Sequence, residues 1–351
     1  MIYLDYQATT PVAPEVAAAM RPWIEEKFAN PHSPSRWGSE AAAAIEVARD
    51  QIVRAIGLAG GRFAFTSGAT EALNWALKGT FEKNAGGRNR IVTVATEHAA
   101  VLDTAEWLAG QGADLTLLPV RPDGLVDLAQ LEAELDERVA LVAVMLVNNE
   151  IGVVQPVAEI ARFAHGRGAL MLCDAVQGFG RMAIPEGPDL VAISGHKIHG
   201  PKGIGGLWMR SGAEPEPLLH GGGQELGLRS GTLAPALCAG FGEAARLAVE
   251  RREADCEHVT KLAELALATL GHGWTVNGSL GRRYAGNLNL RRERLDAARL
   301  IADLRNIAFS VGSACASGSG RPSHVLRALG LADAQARASI RLGFGRYTGE
   351  E

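Results

Sequence analysis

The sequence predicts an α/β protein, a mainly parallel sheet flanked by helices, with a smaller α+β C-terminal lobe. Three observations lead there. Short apolar runs alternate with helical stretches through the middle of the chain. Those runs are near-continuous, as in strands buried on both faces of a parallel sheet. At 351 residues the chain also exceeds what one small core holds. In order, the runs 63–66, 91–95, 115–118, 141–146, 169–173, 190–194 and 206–209 read as strands. Ala- and Glu-rich segments such as 40–55 and 125–135 supply the crossover helices that parallel strands need. Glycine and proline thicken from 200 to 231, and a helical stretch follows to about residue 270. Beyond Trp274, strand signals at 285–290 and 307–311, with helices of their own, mark the second lobe. The expected division is an N-terminal segment, 1–12, packing with the small domain, a large domain, 13–252, and a small domain, 253–351.

Composition narrows the function classes. A net charge of −4 gives no sign of a nucleic-acid or bilayer surface. The longest apolar run, 139–147, is far too short to span a membrane. The opening Met1-Ile2-Tyr3-Leu4-Asp5 has neither the basic start nor the apolar core of a secretory signal. Four cysteines, Cys173, Cys238, Cys256 and Cys315, are widely spread with no CxxC, which indicates neither a zinc site nor a disulfide framework. A reduced, cytoplasmic protein without a metal is expected.

The chemistry starts at Lys197, in Ser194-Gly195-His196-Lys197-Ile198-His199-Gly200-Pro201-Lys202-Gly203, 23 residues after Asp174. Both follow apolar runs, so a parallel sheet brings them to one edge. A buried amine that makes a Schiff base, with a carboxylate that keeps a pyridine nitrogen protonated, is what pyridoxal 5'-phosphate requires. Lys202 competes for the role of Schiff-base lysine. His196 and His199 suggest a metal only weakly, because no further ligand shows the spacing. The turn Thr66-Ser67-Gly68-Ala69-Thr70-Glu71 offers helix-start N–H groups, including that of Ala69, and the Thr70 hydroxyl to a phosphate. Alone it reads equally as a tight βα turn. His98, in Thr96-Glu97-His98, can stack on a flat ring or be an ordinary loop residue. Asp174-Ala175-Val176-Gln177 offers a carboxylate to a ring nitrogen and an amide to a ring hydroxyl, though Asp174 alone equally fits a helix cap. Five strand-end motifs suited to one cofactor are hard to obtain by chance. Cys315 sits in a Gly- and Ser-rich run too small-chained to pack a core, and reads as an accessible thiol. Cys173 and Cys238 read as small buried hydrophobes, and Cys256 as a helix-surface thiol.

With these residues in place, the sequence resembles the NifS/IscS-type cysteine desulfurases, of the class V aminotransferase family and the fold-type I pyridoxal-phosphate enzymes. The resemblance runs almost end to end. It takes in Tyr3-Leu4-Asp5, Ala8-Thr9-Thr10, the turn at 66–71, Thr96-Glu97-His98, Asn148-Asn149-Glu150-Ile151-Gly152 and Gln155-Pro156. It continues through Asp174–Gln177, 194–203, Gly221-Gly222-Gly223-Gln224-Glu225, Arg229-Ser230-Gly231-Thr232, 312–315 and Ile340-Arg341. It implies that Lys197 carries the cofactor and later moves protons, and that His98 stacks on the ring as a candidate acid/base. Asp174 would partner the ring nitrogen and Gln177 the ring oxygen. Ala69, Thr70, Ser194 and His196 would hold the phosphate, joined by Thr232 from a neighbouring subunit in a homodimer. Asn149 and Arg341 would bind the substrate carboxylate, a role that suits a guanidinium fork. Cys315 would take the sulfur of L-cysteine as a persulfide, leaving alanine. An acceptor protein, such as an iron–sulfur scaffold or a tRNA-thiolation relay, would then receive it. On this resemblance the large domain binds the cofactor and the small one carries the Cys315 segment, whose length to Arg341 is typical of relatives that hand sulfur directly to scaffolds.

Leu226 stands where many such relatives carry a basic residue, and Gln7 where many carry Asn or Ser. Thr348-Gly349-Glu350-Glu351 has capping-box spacing and reads as a helix start, where relatives usually continue into a helix and tail that serve partner docking. Competing readings are a selenocysteine lyase, a class V transaminase that does not need Cys315, and a non-catalytic assembly subunit. The last is opposed by intact Lys197, Asp174, His98 and Cys315.

Overall fold

In chain order the strands are β1 (Ile2–Tyr3), β2 (Gly61–Thr66), β3 (Arg90–Val94), β4 (Asp114–Leu118), β5 (Val139–Met145), β6 (Leu170–Asp174), β7 (Leu190–Ser194), β8 (Gly205–Arg210), β9 (Trp274–Val276), β10 (Asn287–Arg292), β11 (Ile307–Ala308) and β12 (Ser339–Gly343). They come from a computed structural model that describes residues 1–84, 86–311 and 322–351. β2 to β8 form the central sheet in the order β2-β8-β7-β6-β5-β3-β4. Every pairing is parallel except those of β8, which runs antiparallel to both β2 and β7. Six strands therefore deliver their carboxyl ends to one edge.

The long helices are α1 (Pro14–Glu25), α2 (Arg36–Ile56), α3 (Ala69–Lys83), α4 (Ala99–Ala109), α5 (Leu128–Glu134), α6 (Val157–Gly166), α7 (Pro235–Glu250) and α8 (Arg252–Leu270). They cover both faces of the sheet, which explains its uninterrupted apolar strands. On β5, Leu141 and Ala143 pack with Leu73, Trp75 and Leu77 of α3 and Val101 and Leu108 of α4. Val142 and Val144, one step along the pleat, pack on the opposite face with Ile45 and Ile52 of α2, Ile160 of α6 and Phe241 of α7. Each such fully buried aliphatic contributes about 1.5–3 kcal/mol relative to exposure. The close crossing of α2 and α7 depends on Gly242, where a Cβ would stand 2.6 Å from Ala48 Cα.

A second, antiparallel sheet has the order β12-β10-β9 and pairs Asn289 with Arg341. β1 pairs in parallel with β11, and Asp5 bridges Gly343, so the first residues of the chain lie along the second sheet. That strap runs close. A Cβ on Gly343 would meet Gln7 Oε1 at 1.8 Å, and one on Gly345 the Tyr6 ring at 2.0 Å.

Differences from the sequence reading are local. The strand expected at 307–311 pairs with β1 only over Ile307–Ala308, after which Ser310 bridges Arg341. β12 went unpredicted because a central arginine disguises a strand whose residues are all buried. The helix start expected at 348–351 is absent. Thr348 Oγ1 accepts from Gly345 N–H at 3.1 Å and its own N–H bonds Gly345 O at 3.0 Å, so the residue closes a preceding turn instead. Cys173 and Cys238 are buried and Cys256 is exposed. Among the described residues no helix is long and apolar enough to cross a membrane.

Candidate active site

The carboxyl edge of the central sheet is where its loops converge, the usual ligand site of such folds. Thr70 lies four residues past β2, His98 four past β3, Asn149 four past β5 and Lys197 three past β7, while Asp174 ends β6. All five line one cavity of about 480 Å³, together with Ala69, Gln177, Ser194, His196, Lys202, Arg341 and the strap residues Gln7, Ala8 and Thr9.

Lys197 follows β7 in a short helical turn, and its Nζ donates to two strap carbonyls, Gln7 O at 2.6 Å and Ala8 O at 2.7 Å. Burial, with the charges of Arg181 and Arg341, pushes its amine down from 10.5 to about 7. Lys202, by contrast, is exposed at the cavity mouth. Asp174 is buried, and burial raises its carboxyl while Val176 N–H, His98 and Lys197 pull the other way. One of its oxygens accepts from Val176 N–H at 3.0 Å. The other has no donor among the described residues.

His98 caps α4, its Nδ1 accepting from Ala100 N–H at 3.1 Å, so the neutral ring carries its hydrogen on Nε2. Across the cavity α3 begins at Ala69 with no side-chain cap, which leaves first-turn N–H groups facing the Thr70 corner. Ser194 is buried beside it. His196 Nδ1 shares a hydrogen bond with Thr9 Oγ1 at 3.1 Å, and burial beside Lys197 and Lys202 lowers its ring to about 4.

Arg341 is a buried arginine at 1 % exposure. Its Nη2 pairs with Asp5 Oδ1 at 2.6 Å and its Nη1 donates to Asn149 O at 2.9 Å. Its Nε, shut away from solvent, has no partner among the described residues. With Nη2 also donating to Ser310 Oγ at 3.2 Å, Arg341 still lines the cavity with guanidinium hydrogens to spare, and its planar fork suits a carboxylate.

Sequence reasoning missed several participants. Arg181, four residues after Gln177 in the turn that follows β6, donates to Gln177 Oε1, to Lys197 O at 3.0 Å and to Tyr6 O at 3.3 Å. Gln177 Nε2 meanwhile donates to Gln7 O at 2.9 Å. Glu97 is buried, accepts from Met145 N–H at 2.8 Å, and is held well above the usual carboxylate range by burial. Asp5 is the counter-charge of Arg341, 336 positions away. Thr232 is exposed and does not line the cavity of its own chain. Cys315 lies outside the described residues.

Comparison with known proteins gives consistent results. A family model described as aminotransferase class-V matches residues 2–351. The cysteine desulfurase IscS of Rickettsia akari (strain Hartford) is 45% identical over 359 residues, spanning 100% of this chain and 88% of that protein. That of Rickettsia felis (strain ATCC VR-1525 / URRWXCal2) is 44% identical with the same coverage. Among solved structures, a NifS-like protein superposes with a TM-score of 0.92 at 33% identity, covering 99% of this chain and 95% of the other. SspA in complex with cysteine gives a TM-score of 0.89 at 35% identity, covering 99% and 100%.

Proposed function

The chain belongs to the class-V aminotransferase family, among its NifS/IscS-type cysteine desulfurases, and from that premise we propose that it converts L-cysteine to L-alanine and passes the sulfur on as a Cys315 persulfide. The observation that carries the reading is the set of unfinished valences in the cavity. Among the described residues, buried Asp174 has a donor for only one oxygen, Arg341 lines the cavity with a guanidinium hydrogen not spent on Asp5, Ser310 or Asn149, and α3 presents uncapped N–H groups. Pyridoxal 5'-phosphate and an amino-acid substrate fit those needs. A protonated ring nitrogen answers Asp174, and a phosphate answers Ala69, Thr70, Ser194 and His196. A substrate carboxylate answers Arg341, with Asn149 beside it. When bound at Lys197, the cofactor supplies a sink for the electrons left on the substrate α-carbon when its proton departs.

The remaining work belongs to the chain. Asp174, as a carboxylate, keeps the ring nitrogen protonated. His98 would stack on the ring and offer its Nε2 hydrogen, and Gln177 would partner the ring hydroxyl. Lys197, lowered to about 7, is near the balance between amine and ammonium at neutral pH, so it can both take and return a proton at the α-carbon. The thiolate of Cys315 attacks the substrate sulfur. The carbon–sulfur electron pair stays with the three-carbon skeleton, which gains protons and leaves as alanine, and the sulfur remains on Cys315.

The finer assignments belong to the same proposal. Residues 13–252 form the cofactor-binding domain and 253–351 the small domain, with 1–12 lying against it. Exposed Thr232 serves the phosphate of a partner subunit in a homodimer. The enzyme is cytoplasmic, and its sulfur goes to an acceptor protein such as an iron–sulfur scaffold or a tRNA-thiolation relay.

The test is incubation with L-cysteine and a reductant, measuring alanine and sulfide together in wild type and Cys315→Ser. Equal amounts of both, lost in the variant while the cofactor absorbance remains, are expected. Alanine unaffected by the substitution would remove Cys315 from the reaction and with it the desulfurase reading.

A further inference from the structure

His199 takes no part in the chemistry above, yet it is held under unusual constraint. Its φ is +65°, a region few non-glycine residues enter, with histidine and asparagine among the more tolerant. In that conformation its N–H donates to Thr10 Oγ1 at 2.7 Å, and its carbonyl accepts from Ala13 N–H at 3.0 Å. Its Nδ1 lies 3.0 Å from Pro11 O. A carbonyl only accepts, so Nδ1 carries the hydrogen. Burial, with Arg346 close by, lowers the ring to about 4 and keeps it neutral across ordinary working pH. Thr10 closes the clasp from the other side, donating its N–H and its hydroxyl to His196 O at 3.0 and 2.9 Å. Thr10, Pro11 and Ala13 are thus tied to His196 and His199, on either side of Lys197.

The stretch of that strap just before the clasp carries the two carbonyls, Gln7 O and Ala8 O, that receive the Lys197 amine. A carbonyl pair within 2.7 Å of one nitrogen needs a backbone fixed to a few tenths of an ångström. β1 and the Asp5 bridge to Gly343 hold the segment before Gln7, and the clasp at 10–13 holds it after Ala8. We propose that His199 is a positioning residue: it latches residues 10–13 so that Gln7 O and Ala8 O form a berth holding the Lys197 amine whenever that amine is not bonded to cofactor. In turnover the berth keeps the released amine beside the substrate rather than letting it swing into solvent. This rests on Lys197 being the cofactor lysine.

The experiment reads the amine directly, so failure of the berth and failure of that assignment are separable. Full-length protein stripped of cofactor is exposed to acetic anhydride at fixed pH, with Lys197 acetylation followed by mass spectrometry and strap amides followed by hydrogen exchange. His199→Gly keeps the positive φ accessible but removes the ring. Its strap exchange and Lys197 acetylation should each rise about tenfold, the scale of one or two lost hydrogen bonds. His199→Asn tolerates the same φ and presents an N–H near the Nδ1 position, and should stay within about twofold of wild type. Thr10→Val, which opens the clasp from the strap side, should behave like His199→Gly and serves if that variant does not fold. Exchange of β5 amides, unchanged throughout, separates a released strap from a globally loosened protein. Unchanged strap exchange in both disruptive variants would overturn the latch. Faster strap exchange with unchanged Lys197 acetylation would overturn the berth.

Discussion

Two buried charge clusters in this molecule are built on opposite principles. At the edge formed by α2 and β2, Arg49 and Glu225 complete each other. Arg49 Nη1 and Nη2 each donate to a Glu225 oxygen at 2.8 Å, Phe65 N–H adds a third bond at 2.8 Å, and the guanidinium lies over the Phe65 ring. Burial works against the charge of Arg49, but Glu225 outweighs it and holds the group above its ordinary range. In the cavity the balance is reversed. Lys197 falls to about 7, Asp174 is raised, and Arg341 Nε has no partner among the described residues. A structural ion pair spends its hydrogen bonds internally, whereas a binding site keeps some in reserve for what enters.

The comparison breaks hardest at Lys197. Lys197→Ala should lower alanine formation by about 10²–10⁴-fold or more, since it removes both the cofactor's attachment and the proton carrier. Residual activity within tenfold of wild type, assayed with added cofactor, would mean that the exposed Lys202 can stand in.

A second difference is one of proton affinity. In cofactor-free protein the Lys197 amine should titrate at about 7, roughly three units below a free lysine at about 10.4. Its reaction with an acylating reagent should therefore level off above pH 8, while that of surface lysines keeps climbing. The sign for stability follows: across that window the unfolded chain binds the extra proton, so the contribution of Lys197 to stability grows as pH rises. A midpoint near 10 would show that the strap carbonyls and Asp174 fully compensate burial.

Arg341→Gln should reduce kcat/KM for L-cysteine by about 10–100-fold, the worth of one charge-assisted hydrogen bond in a water-poor cavity. The loss should fall mainly on KM if the arginine binds the carboxylate equally before and during reaction. Asp5 would be left without its counter-charge, so a thermal melt of the variant checks that the fold survives.

How far the sequence foretold this depends on distance along the chain. Lys197, Asp174, His98 and Thr70 were legible because each follows its own apolar run, and a parallel sheet sends every such end to one edge, whereas Asn149 was reached only through the family resemblance. Helix boundaries slipped by a few residues because the apolar pattern marks the buried middle of an element and says little about its ends. Arg181, Asp5 and the strap carbonyls were not legible as parts of the site. Their roles arise from contacts such as Gln177 with Gln7, 170 positions apart, and no local pattern encodes a backbone oxygen's destination. The misread helix start at 348–351 fails for the same reason. Thr348 had two uses for its hydroxyl, and the strap packed on Gly345 decided between them.

The smallest expected effect on catalysis sharpens the comparison from its other side. Glu225→Gln keeps the shape of the Arg49 partner and one acceptor but removes its charge. Glu225 is nearly inaccessible while the Arg49 side chain keeps 19% exposure, so the cost falls below that of a fully buried broken pair, at about 2–3 kcal/mol. That corresponds to a fall of roughly 5 °C in Tm for a chain of this size. Below the lowered Tm, kcat/KM should stay within about threefold of wild type, since a self-satisfied pair has nothing left to offer a ligand. A variant that melted normally but lost activity would reverse the assignment. Arg49 and Glu225 would then be holding the segment around 221–232 for use at a partner's cavity, and the divide between the two clusters would run between subunits rather than within one.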